Sequence, residues 1–156
     1  MKRIITATMA ALILVLAFAG CGAKSVDLKT VMSDVNSKYS DATTGLKELS
    51  DVSDLDKYYS ISADNVKQFA AEINPDTSTA PVEIVLVEAV DQTAAEKVKK
   101  ALDIRYQSIY SMYSSYSSEH VELVKACKVT QNGNFVTMVI AENYDGIMEI
   151  VNAAIK

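Results

Sequence analysis

The chain of 156 residues has no tryptophan, one histidine, two cysteines, two prolines and five glycines. Two cysteines cannot build a disulfide framework. With a single histidine they also fall short of the four ligands of a structural zinc site. Positive charge is scarce too: 15 Lys plus Arg against 20 Asp plus Glu leave a formal charge of −5. That balance argues against a nucleic acid partner. No Gly-x-Ser-x-Gly elbow and no Asp-x-Asp-x-Asp-Gly loop occur, so neither a serine nucleophile nor an EF-hand is marked. Paired carboxylates are not excluded, because acidic residues are common and only geometry would select a pair. The expectation is no catalytic residue, no metal site and no cofactor.

What is present begins at the N-terminus. Lys2 and Arg3 precede an apolar run over 4–19, interrupted by Thr6 and Thr8, which closes on Phe18-Ala19-Gly20-Cys21. A basic end, an apolar centre and small residues at the cut are the order of a secretory signal peptide. The cysteine after Ala-Gly resembles the lipobox of bacterial lipoproteins, whose cysteine is acylated and becomes the first mature residue. Phe18 stands where that motif usually has Leu. The other reading of the run is a retained spanning helix, for which about 17 residues is the lower limit. Such a helix has no need of Ala-Gly-Cys. The expected organisation is a signal peptide over 1–20, an acylated cysteine and short leader over 21–26, and one domain over 27–156. Its partner would be the membrane, reached through the lipid on Cys21, on the extracytoplasmic face of the cell membrane.

Removing Lys2 and Arg3 with the signal leaves 13 Lys plus Arg against 20 Asp plus Glu, a formal −7. This disfavours a second, polybasic membrane contact. Acylation of Cys21 would leave Cys127 without an intrachain partner.

Asp27 is placed to cap a helix carrying Leu28, Val31, Met32, Val35 and Tyr39 on one face. Residues 40–45 break it, and 46–60 read as a loop with one or two helical turns. Ser62 opens an expected second helix, with Val66, Phe69, Ala70 and Ile73 as its buried stripe, ended by Asn74-Pro75. Residues 82–89 form a β-branched strand apolar on both faces, which suggests a central position. Asp91 or Thr93 starts the longest helix, with Ala95, Val98, Leu102, Tyr106, Ile109, Tyr113 and Tyr116 on one stripe. A short helical piece lies within 117–125. Strands over 127–131 and 135–141 flank Asn132-Gly133, the signal of a type I′ hairpin. Asp145 is expected to cap a last helix with Ile147, Ile150, Val151 and Ala154 inward. The fold class is therefore α+β: a small, mainly antiparallel sheet of about three strands with helices packed on it.

From Asp56 onward the pattern resembles a known group. It comprises Tyr58-Tyr59-Ser60-Ile61, Val82-Glu83-Ile84-Val85-Leu86-Val87, Val98 to Arg105, Tyr116 followed by His120-Val121-Glu122-Leu123, and Asn132-Gly133-Asn134-Phe135-Val136. The chain looks like the small lipoproteins of low-GC Gram-positive bacteria grouped as DUF4358. The resemblance implies a tethered envelope protein with no assigned activity, and it carries no functional residues over.

The residues themselves offer four binding candidates. Tyr110 sits at the edge of the long helix's apolar stripe, where a ring can stack on a sugar or peptide. Arg105 lies near the opposite edge, where a guanidinium fork can take a carboxylate or phosphate. Its bland alternative is a stem laid on the core. Tyr58 and Tyr59 either line a groove or pack a ring inward. A Cys127–His120 nucleophile pair needs hydrogen-bond reach, whereas a cysteine at the start of a strand is usually inert and buried. The expected function is a non-enzymatic envelope module that binds or stabilises a protein partner. The alternative is a lipoprotein that binds a small ligand or glycan.

Overall fold

The computed structural model describes residues 26–156, apart from Thr77, Ser117 and the side chains of Tyr116, Ser118 and Glu119. The expected signal peptide over 1–20 and the expected lipidation site Cys21 lie outside the described residues. Helix α1 (Leu28–Lys38) is capped by Asp27, whose carboxylate accepts from the Lys29 amide at 2.9 Å. It turns through the short α2 (Ser40–Thr43) into strand β1 (Lys47–Leu49) and helix α3 (Val52–Tyr59). A 3-10 turn (Ala63–Asn65) leads into β2 (Val66–Ile73), then β3 (Glu83–Ala89). The long helix α4 (Gln92–Tyr116), α5 (Ser118–Ala126), β4 (Lys128–Asn132), β5 (Phe135–Ile140) and α6 (Tyr144–Ala154) complete the chain. Among the described residues, no helix is long and apolar enough to cross a membrane.

The strands form one antiparallel sheet in the order β1-β2-β3-β5-β4. It has five strands rather than about three. All seven residues of β3 are buried, as its two apolar faces predicted. Val85 and Val87 face a core shared with α3, α4 and α5, while Ile84 and Leu86 face a second core under α1 and α6. Each such aliphatic side chain contributes on the order of 1.5–3 kcal/mol when fully removed from water. The antiparallel sheet is thus covered on both sides.

The expected helix from Ser62 is overturned: after the 3-10 turn the segment is strand β2. Its register pairs Val66 with Ala89 and Gln68 with Glu88, so Lys67 is the extra residue of a bulge. A bulge turns the preceding residue to the other face. Val66 therefore joins Phe69, Ala71 and Ile73 on the α4 side. The resulting spacing of Val66, Phe69 and Ile73 mimics a helical stripe, although a strand with one irregularity produces it.

Two turns also differ from expectation. Asn132 pairs with Phe135, so the hairpin loop is Gly133-Asn134, and of these two only Gly133 has positive φ, at 57°. That is the pattern of a type II′ turn, with glycine first, not type I′. Asn143, not Asp145, is the N-cap of α6; its φ is 59° and its side chain makes no capping bond. Asp91 does cap α4, accepting from the Ala94 amide at 2.7 Å.

Candidate functional site

Two of the four sequence candidates meet inside the protein. Tyr59 is the last residue of α3, and the left-handed Ser60 that follows it, with φ at 56°, turns the chain. The turn is held by the Ile61 amide donating to the Leu55 carbonyl at 3.2 Å. Tyr59 ends buried against the α4 side of the sheet. Glu83, the first residue of β3, points to the same side, and Arg105 reaches it from α4. The guanidinium engages both carboxylate oxygens: Nε donates to Oε2 at 3.2 Å and Nη2 to Oε1. The Glu83 side chain is only 4% exposed and that of Arg105 30%.

This geometry decides what Arg105 can do. Burial works against its charge, yet the Glu83 carboxylate outweighs that and holds the guanidinium above its ordinary value. A buried carboxylate that occupies the planar fork in a bidentate pair leaves little of it for an incoming anion. Arg105 instead ties α4 to the start of β3. Burial, then the negative charge of Glu83, push the Tyr59 phenol far above its usual range. Its buried hydroxyl lies beside the Glu83 carboxylate but makes no hydrogen bond of good geometry.

The other two candidates lie at the margins of the same core. Tyr58 is half-buried, tilted at 50° to Tyr59 with centroids 6.4 Å apart, and Lys57 stands over its ring at 5.1 Å. Tyr110 is half-buried and packs against the α4-side core. Tyr113 is 5% exposed and meets His120 edge-on at 5.4 Å, which joins α4 to α5. Tyr106 is half-buried and donates to the Val124 carbonyl at 2.9 Å. His120 and Cys127 take different neighbours. The Cys127 thiol is buried, points to the Ala141 carbonyl at 3.7 Å, and is pushed up by its burial. No cluster of three metal-ligating side chains occurs among the described residues.

A concave surface that the candidates did not include lies between α1 and the β1–β2 edge. It is an open groove of about 380 Å³, lined by Lys29, Met32, Asn36, Glu48, Ala70 and Glu72 among others. Asn36 Nδ2 donates to Glu72 at 2.7 Å, while Asn36 Oδ1 is buried with no partner. Glu48 and Glu72 are directly opposed across the two strands. Burial raises the Glu72 carboxyl; the Asn36 bond opposes this, and the charge of Glu48 adds to it. Once β2 is taken as a strand, period two places Gln68, Ala70 and Glu72 on the α1 side. The helical reading hid that signal.

The model of a family described as a domain of unknown function, DUF4358, matches residues 38–141. The chain belongs to the DUF4358 family. The matched span takes in all five strands with α3, α4 and α5, and α6 and nearly all of α1 lie outside it. The Tyr59–Glu83–Arg105 cluster is thus within the DUF4358 region, whereas one wall of the groove is not. No curated protein and no solved structure matches the chain.

Proposed function

We propose that this DUF4358 protein is a lipid-anchored, extracytoplasmic module without enzymatic activity that binds or stabilises a protein of the cell envelope. The observation that carries the reading is the placement of the chain's exit. Val26 lies five residues after Cys21, and the Gln68 amide donates to its carbonyl at 2.7 Å. The globular fold therefore begins almost at the acylation site, as suits a domain working at the membrane surface. Each buried CH₂ of a fatty chain contributes about 0.8 kcal/mol, so a cysteine bearing more than one chain gives a stable tether. A protein partner fits the outer face of α4, where Ile104 is 61% and Met112 42% exposed. At about 1.5 Å per residue its 25 residues extend roughly 37 Å, well past the strands.

The test has two arms in intact cells. Metabolic labelling with a fatty-acid analogue should mark the parent and not Cys21→Ser; equal label on both removes the anchor. A photo-crosslinker at position 104 should then capture a discrete envelope protein, and the yield should fall with Met112→Glu. If position 104 captures no protein above an exposed control position such as 149, the partner reading fails.

The orphaned Asn36 Oδ1 favours a second reading, a lipoprotein that takes a small ligand in the α1 groove. An acceptor flanked by Glu48 and Glu72 suits a donor-rich or cationic molecule. Saturable binding of such a compound that Asn36→Leu abolishes would promote this reading over the first.

A further inference from the structure

One end of the sheet gathers the start of the fold, the hairpin and an exposed valine. Val26 is held there by Gln68, which also accepts from the Leu28 amide at 3.1 Å and donates to the Glu88 carboxylate at 2.5 Å. The Val90 amide donates to the Asn65 carbonyl at 3.2 Å, and the Ala89 amide to the Asn134 carbonyl at 2.8 Å. Val26, Asn65, Val90 and Asn134 therefore share this end, and Val90 is 49% exposed.

We propose that this end of the domain is a membrane-contact surface, resting on the lipid with Val90 as the side chain that enters it. The inference rests on the acylation of Cys21 proposed above and adds an orientation to it. Five residues of fully extended chain reach at most about 18 Å. Val26 is held at the level of Glu88, the partner of Gln68, and the six steps from there back to Val82 span roughly 20 Å, at about 3.3 Å each. A domain standing on the opposite end, which carries the 74–82 connection, would need a longer tether than the chain provides. A domain lying on the flank of α1 would set the exposed, polar Lys29, Ser33 and Ser37 against the bilayer. The hairpin end offers Val90 instead.

Charge gives the contact its character. Asp64 and Asp91 are exposed beside Val90, and Lys67 is paired with Glu88 at 2.6 Å. Among the described residues no free basic cluster draws this end to anionic headgroups, so the contact is apolar and tether-driven and does not depend on anionic lipid. In this orientation the distal half of α4, with Met112, points away from the bilayer.

The experiment uses the full acylated chain reconstituted in phosphatidylcholine vesicles containing lipids with a shallow nitroxide. A fluorophore is attached through Val90→Cys, Ser78→Cys or Ser33→Cys; Cys127 is buried and serves as the unlabelled background. Flotation is read first, then quenching. Quenching at position 90 should exceed that at 78 and 33 several-fold, and adding phosphatidylglycerol should not change the order. Quenching at 78 or 33 equal to that at 90 overturns the inference and leaves the anchor standing. A contrast that appears only with anionic lipid overturns the apolar contact. A chain that does not float overturns the acylation reading, and this inference with it.

Discussion

Tyr39 fills the space that a side chain on Gly146 would need. A Cβ built on Gly146 would meet the Tyr39 hydroxyl and stand 2.7 Å from its Cζ. The glycine is required here by close approach, since it lies within α6 and its φ is not positive. Alanine would ordinarily favour a helix by about 1 kcal/mol over glycine. Forced overpacking typically costs about 1–3 kcal/mol, so Gly146→Ala should destabilise the domain or at best leave it unchanged. In a Tyr39→Leu background the same change should become stabilising. Denaturant melts of the four proteins form a double-mutant cycle; an equal effect in both backgrounds would show that the two residues do not compete for space.

Arg105→Ala should leave Glu83 buried without its counterion. Breaking a buried pair from one side commonly costs about 3–5 kcal/mol, and the partial exposure of Arg105 points to the lower end of that range. Replacing both partners, as Glu83→Leu with Arg105→Met, should recover much of the loss. Equal melts for Arg105→Ala and the parent would instead mean that the guanidinium is available for a ligand.

Tyr113 and Tyr110 should separate core from margin. Truncating a buried aromatic costs about 3–5 kcal/mol, which is the expectation for Tyr113→Ala. Half-buried Tyr110 should lose clearly less. The measurement is the difference in denaturation midpoint between the two variants, with Tyr110→Ala melting as low as Tyr113→Ala being the contrary result.

Glu72 sets a pH dependence whose sign follows from its raised carboxyl. The folded state holds this proton more tightly than the unfolded state does. Its contribution is therefore favourable at low pH, and stability falls as pH rises through the carboxylate range. Glu72→Gln should be stabilising at neutral pH, and that gain should shrink as the medium is acidified. A gain independent of pH would assign the effect to something other than ionisation.

The elements legible in the sequence were those whose own residues carry the signal. Asp27 and Asp91 cap α1 and α4 through local bonds, and the stripe Ala95, Val98, Leu102, Ile109 and Tyr113 is buried along α4. β3 was readable because both of its faces are apolar. The candidate site was half legible. Tyr59 and Arg105 could be singled out as residue types, but their shared partner Glu83 sits 22 residues from Arg105, and nothing in the local pattern announces that pairing. Asn36 and Glu72 were missed with β2.

Capping, amphipathic spacing and β-branched runs are interactions between near neighbours, so the residues alone determined where α1, α4, β3 and the hairpin lie. The sheet's two outer additions were decided only by tertiary structure. β1 is three residues long and has no pattern of its own; it exists because Lys47, Glu48 and Leu49 find partners in β2. β2 is a strand because β3 pairs with it from Val66 to Ile73 and β1 with its last three residues, and its bulge at Lys67 disguised the alternation as a helical period. Arg105 likewise became a tie within the core, since the charge that holds it arrives from another strand.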